Sequence, residues 1–199
     1  FGGWNGQAFL ASSEVFDVHN LSLRFGAAPR RWSSLPPLPH ATCHAAAVST
    51  GAHILVIGGS VSVPHPRTQV LDVAARDWED GPELLHPRAK HSAALLRGFV
   101  YAIGGTDGRA PISSVERLEI AHPERGWKEI AGLCSARESG AAAVLGGRIY
   151  LMGGFDGSRH LDTVEEYDIS RGTWRVSGAM REERSSLAAV AIGSSLVAL

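Results

Sequence analysis

Gly153-Gly154-Phe155-Asp156-Gly157, then Val164-Glu165-Glu166-Tyr167-Asp168, then Trp174, is the stretch that decides the fold, because each of its marks recurs along the chain. Diglycines stand at Gly2-Gly3, Gly58-Gly59, Gly104-Gly105 and Gly153-Gly154, and a tryptophan follows each, at Trp32, Trp78, Trp127 and Trp174. From the second onward the diglycines are 46 and 49 residues apart, and the tryptophans are 46, 49 and 47 apart. Two unrelated markers that keep one period define a repeated unit. A period near fifty belongs to arrays of small sheets, none of which buries its own face alone.

Three further marks keep the same phase. An apolar run precedes the diglycine, as in Ile54-Leu55-Val56-Ile57 and Ile149-Tyr150-Leu151-Met152. An apolar–acid pair follows it by about fourteen residues: Phe16-Asp17, Leu71-Asp72, Leu118-Glu119 and Tyr167-Asp168. An alanine-rich stretch lies about ten residues upstream, beginning at Ala45, Ala93 and Ala141, with a last one from Ala188. Runs of four to six apolar residues bounded by Gly, Pro, Asp or Ser read as strands, four to a unit. Asp107-Gly108 and Asp156-Gly157 read as turns. The alanine strands are expected at a central hub, where sheets crowd together. The diglycine, lacking Cβ atoms, is expected to admit a neighbouring backbone or ring, with the tryptophan the obvious ring.

Diglycine, aromatic–acid pair and tryptophan at these spacings resemble the kelch repeat over the whole chain. The resemblance implies an all-β, kelch-type β-propeller of four-stranded antiparallel blades. Four repeats are present and are expected to form part of a larger propeller of about six blades; the alternative expectation is a closed four-bladed ring, since residues 196–199 joined to residues 1–3 would make one normal strand. The expected units are 1–35, 36–84, 85–133, 134–180 and 181–199, all within one propeller, 1–199. Two departures stand out. The second unit has Ser60-Val61-Ser62 in place of the usual Asp-Gly turn, and the first has extra length at about His19 to Pro29, expected to be a protruding loop.

Composition narrows the function. Hydrophobic residues make up 44% of the chain and charged residues 20%, with net charge −1. No basic stripe points to nucleic acid and no polybasic cluster to a membrane surface. Cys43 and Cys134 fall at roughly matching places in different repeats, so no disulfide is expected; free buried thiols suit cytoplasm or nucleus. His40 and His44 lack metal-site spacing, and no nucleophile–base pattern appears. No catalytic, metal or cofactor residue is assigned, and a non-enzyme is expected.

The kelch resemblance implies protein binding through the loops of one propeller face. By analogy with kelch adaptors of ubiquitin ligases, one set of contact positions precedes the innermost strand: Arg88, Arg137, Ser139, Arg184 and Ser185, with His40-Ala41 in place of an arginine in the second unit. The other set follows the diglycine: Trp4, Ser60, Thr106 with Asp107, and Phe155 with Asp156. Arginines on a rim offer forked donors to carboxylates and phosphates, so the expected partner is a protein or an acidic or phosphorylated peptide. The competing reading is that each arginine pairs with a loop acid such as Glu138, Glu182 or Glu183. Charge reversal of Arg137 and Arg184 is expected to abolish partner capture at nearly unchanged melting. The alternatives are a structural or cytoskeletal subunit of a larger complex and a carbohydrate-active enzyme.

Overall fold

Every regular element but one turn of 3-10 helix at Pro123–Arg125 is a strand in the computed structural model, which describes residues 1–16 and 32–199. The insertion expected at about His19 to Pro29 lies outside the described residues. The strands are β1 (Ser13–Val15), β2 (Ser33–Leu35), β3 (Ala46–Ser49), β4 (His53–Ile57), β5 (Thr68–Asp72), β6 (Asp77–Asp80), β7 (Ser92–Leu96), β8 (Phe99–Ile103), β9 (Val115–Glu119), β10 (Lys128–Ile130), β11 (Ala141–Leu145), β12 (Arg148–Met152), β13 (Thr163–Asp168), β14 (Thr173–Ala179), β15 (Ala189–Ile192) and β16 (Ser195–Ala198).

They form three four-stranded antiparallel sheets, β3–β6, β7–β10 and β11–β14, flanked by the two-stranded pairs β1–β2 and β15–β16. Each four-stranded sheet is a meander in which successive strands pair. Leu71 stands opposite Trp78 and Tyr167 opposite Trp174 in register. The alanine-rich strands β3, β7, β11 and β15 pack against one another in that order, which sets the sheets as blades about a common hub. Small side chains let these strands approach.

The core lies in the seams between blades. Leu55, Ile57, Leu84, Val100, Leu118 and Trp127 fill the seam between the β3–β6 and β7–β10 blades. The next seam is filled by the equivalent residues Tyr101, Ile103, Leu133, Ile149, Tyr167 and Trp174. Trp127 reaches back across its seam, donating from Nε1 to the Pro82 carbonyl at 3.0 Å, and Trp78 does the same to Pro36 at 2.9 Å.

What closes on the diglycines is backbone, not the tryptophan ring. A Cβ on Gly58, Gly104 or Gly153 would lie 2.5, 2.7 and 2.5 Å from the carbonyl oxygens of Arg88, Arg137 and Arg184 of the following unit. The second glycine of each pair donates its N–H to that same carbonyl, Gly59 to Arg88 at 2.8 Å and Gly105 to Arg137 at 2.9 Å. The pairs are glycine because another chain segment occupies the space a side chain would need, and because all six residues have φ between 56 and 108°.

Candidate interaction face

These backbone bonds fix the repeat frame. Gly3 donates to Thr42 at 2.7 Å as Gly59 does to Arg88, so Thr42, Arg88, Arg137 and Arg184 are equivalent. It is Thr42, not His40-Ala41, that replaces the arginine in the second unit. The frame also separates the cysteines. Cys43 follows the arginine position and is buried, whereas Cys134 precedes it by three residues and is exposed; both thiols are free.

Arg88 and Arg137 are not on the rim. Their residues are 0% and 2% exposed. Arg88 Nη1 donates to the carbonyls of Gly104 at 3.0 Å and Ser114 at 2.9 Å, while Nη2 donates to Ser114 Oγ at 3.0 Å and Glu116 Oε1 at 2.6 Å. Arg137 repeats the set on Gly153, Thr163 and Glu165, ending 2.6 Å from Glu165 Oε1. Burial pulls both guanidinium pKa values down, and the paired glutamate pushes them back up. Each glutamate in turn accepts two backbone N–H groups of the incoming inter-blade link, Leu85 and His86 for Glu116, Cys134 and Ser135 for Glu165. These arginines are staples. Their partners are strand acids in phase with the repeat, not the loop acid Glu138.

The second unit carries a neutral version of the staple. Thr42 replaces the arginine and Gln69 the glutamate, and Pro39 removes one of the two N–H donors that the acid would meet. The remaining donor, His40 N–H, binds Gln69 Oε1 at 2.8 Å. Thr42 Oγ1 lies 3.1 Å from His65 Nε2, so His65 fills space the arginine would take. Beside it, His91 is buried with neither ring nitrogen hydrogen-bonded among the described residues. Burial first, and the Arg88 and His65 charges second, lower its pKa to about 3.

The remaining predicted residues do collect at one end of the blades. Arg184 is half-buried, with Nη2 3.3 Å from Glu182 Oε2. Ser185 Oγ lies 3.0 Å from His160 Nδ1. Trp4 is 54% exposed and packs on Phe9 with ring centroids 4.9 Å apart. Phe155 leans on His160 at 5.3 Å. Asp107 and Asp156 cap their own loops. Asp107 Oδ1 accepts from the N–H groups of Arg109 and Ala110, and Asp156 Oδ1 from those of Ser158 and Arg159. Those bonds hold both carboxyls below their ordinary range, Asp156 at about 2.

A position that sequence reasoning passed over organises this face. His44, Lys90, Ser139 and Ser186 each sit two residues after the arginine position, in left-handed conformation with φ of 53 to 55°. From Lys90 onward each N–H donates to the carbonyl of its counterpart one unit earlier: Lys90 to His44 at 2.8 Å, Ser139 to Lys90 at 2.8 Å, Ser186 to Ser139 at 2.7 Å. This backbone chain runs around the hub mouth and raises one side chain per blade. Ser139 is among the predicted residues; His44 enters the sequence reading only for its lack of metal-site spacing, and in the frame its counterpart is Lys90.

Just outside that chain lies a groove of about 480 Å³. Ser60, Thr106, Phe155, Lys90, Arg109 and Glu138 line it, so three of the predicted residues meet there. Lys90 Nζ bonds Glu138 at 2.9 Å across the blade boundary. Arg109 is exposed and has no acid partner among the described residues. Among those residues no group of three His, Cys, Asp or Glu side chains is gathered as a metal ion would need.

A family model described as the KLHDC2/KLHL20/DRC7 Kelch-repeats domain matches residues 1–199. A putative F-box/kelch-repeat protein of Arabidopsis thaliana is 34% identical over 88 residues, covering 39% of this chain and 24% of the relative. Human Kelch-like protein 33 is 32% identical over 91 residues, 43% of this chain and 17% of the relative. Mouse Kelch-like protein 38 is 28% identical over 95 residues, 45% and 16%. Each alignment thus spans a quarter of the relative's length or less.

Proposed function

We propose a function from a secure premise: the chain belongs to the kelch-repeat family. Domains of this family generally serve as protein-interaction modules. The reading proposed for this one is capture of an acidic or phosphorylated protein segment in the groove beside the hub mouth. The observation that carries it is the lining of that groove. Arg109 is uncommitted, Lys90 and His44 stand at its edge, Phe155 offers an apolar wall, and the one acid, Glu138, is already held by Lys90. Cations on a loop rim, beside a partly buried ring, suit a carboxylate or phosphate attached to a peptide.

The relatives named as F-box/kelch-repeat proteins support a further step, in which the captured protein is presented for ubiquitination. The kelch face would then supply recognition and another part of the assembly the ligase. Catalysis is not part of the proposal.

The test is fluorescence anisotropy with three capped peptides of equal length, one rich in glutamate and phosphoserine, one rich in lysine, one neutral. The acidic peptide should bind saturably, and the Lys90→Glu/Arg109→Glu variant should weaken it by about tenfold or more, a loss of at least ~1.4 kcal/mol. Equal binding of all three peptides, or an unaffected variant, overturns the reading.

A further inference from the structure

The seam between the β3–β6 and β7–β10 blades carries a second groove of about 470 Å³, which runs from the β3–β4 turn at Thr50 and His53 along the seam to Gly81 and Pro82 beyond the end of β6. Its origin is visible by comparison with the next seam. There, Tyr101 and Tyr167 pack together with ring centroids 5.7 Å apart, Tyr167 packs on Trp174 at 5.2 Å, and buried Leu96 completes the fill. The strand registers place Leu55 at the Tyr101 position and Thr50 at the Leu96 position. Leu118, two residues after the staple glutamate, stands where Tyr167 does. Two leucines and a threonine in place of two tyrosines and a leucine leave room, and the floor that remains, Leu55 and Leu118, is apolar.

The mouth of this groove is acidic. Glu79, paired in register with the lining residue Val70, Asp80 at the end of β6 and Glu124 in the 3-10 turn all line it. No lysine or arginine does; His53 is the one basic type present. Asp80 has His40 Nε2 at 3.6 Å, and Glu124 has His122 Nδ1 at 3.2 Å; Glu79 has no ion-pair partner among the described residues.

We infer that this seam is a docking site for a basic–apolar peptide segment of a partner protein. One aromatic or branched side chain enters the volume that the tyrosine pair occupies in the neighbouring seam, and an adjacent lysine or arginine meets Glu79 and Glu124, Asp80 being turned to His40 on the other face of β6. Charge complementarity selects this occupant: the Glu79 and Glu124 carboxylates beside an apolar floor repel an acidic peptide and leave a purely apolar one without partners for the rim. The site is separate from the groove at the hub mouth and takes the opposite charge, so the two can be occupied together and tested apart.

The test uses a capped, fluorescein-labelled peptide of alternating lysine and phenylalanine, with a lysine–serine peptide and a glutamate–phenylalanine peptide as comparisons, read by anisotropy at physiological salt. The lysine–phenylalanine peptide should bind saturably, and each comparison peptide at least about tenfold more weakly. The variant Leu55→Tyr/Leu118→Tyr, which installs the filling of the next seam, should lower its affinity by about tenfold or more while the far-ultraviolet circular dichroism of the folded chain is kept. Should that variant not fold, Glu79→Lys/Glu124→Lys changes exposed residues only and should cause the same loss. The variant Lys90→Glu at the hub mouth should leave this binding unchanged. Equal binding of the three peptides, absence of saturation, or full affinity in Glu79→Lys/Glu124→Lys overturns the inference.

Discussion

Arg88 and Glu116 meet at 2.6 Å with both side chains wholly out of solvent, 28 residues apart in sequence. The same residue's backbone carbonyl holds Gly59 of the preceding blade, so Arg88 ties two blades at once, by main chain to one and by side chain to the other. Removing one partner of such a pair strands a buried charge, at a cost of about 3–5 kcal/mol. Arg88→Ala and Glu116→Ala should each lower stability by that order in urea unfolding. The double variant Arg88→Thr/Glu116→Gln, which copies the Thr42 and Gln69 of the second unit, should cost clearly less than the two single changes summed. Additive losses would show that the two side chains do not act as a pair.

The seam beside that staple is acid-sensitive. His91 is held neutral, its pKa lowered to about 3 by burial and by Arg88 and His65, and His65 is shifted the same way, chiefly by burial. In the unfolded chain both titrate near 6.5. Their contribution is therefore complete above about pH 6.5 and is lost as the pH falls below it, for His91 on down toward 3, because the unfolded chain takes up protons that the folded one refuses. For His91 the slope approaches ~1.4 kcal/mol per pH unit within that window. Urea midpoints measured from pH 8 to pH 4 should fall, and His91→Ala, which installs the residue found at the equivalent Ala45, should flatten the curve. A flat parent curve would contradict this.

The diglycines test the close approach of neighbouring blades. Gly104 and Gly146 have nearly the same φ, 60 and 58°, but a Cβ at Gly104 would meet the Arg137 carbonyl at 2.7 Å, and one at Gly146 meets nothing within 4 Å. Gly146→Ala should cost only the left-handed backbone strain, about 1–2 kcal/mol. Gly104→Ala adds displacement of the adjoining blade and should cost distinctly more, read as the difference in urea midpoints. Equal losses would mean that the blade gives way freely.

Much of this architecture was legible in the sequence, because the marks that recur are the ones the backbone demands. Glycines recur where a carbonyl from the next blade passes, and alanines where hub strands crowd. The burial of Arg88 and Arg137 was not read, because arginines beside loop acids look like rim residues. The missing signal was phase: Arg88 to Glu116 and Arg137 to Glu165 are both 28 apart, and the second unit changes both partners together. The charge reversal expected to spare melting at Arg137 is accordingly expected to unfold that seam instead. Lys90 escaped notice because its role comes from a left-handed backbone position, which leaves no composition signature when the residue is not glycine. The seam groove depends on which side chain stands at one point of each repeat, Leu55 against Tyr101, a difference that becomes a cavity only once the blades are packed.

The division of labour between rim and staple is tested most directly by measuring acidic-peptide affinity and thermal melting on the same two variants, Lys90→Glu/Arg109→Glu and Arg88→Ala. The account predicts that the rim variant loses affinity by about tenfold while its stability stays within ~0.5 kcal/mol of the parent. It predicts that Arg88→Ala melts well below the parent yet, at a temperature where it remains folded, binds the peptide as the parent does. A rim variant that binds normally, or an Arg88→Ala chain that melts normally and loses the peptide, would contradict it.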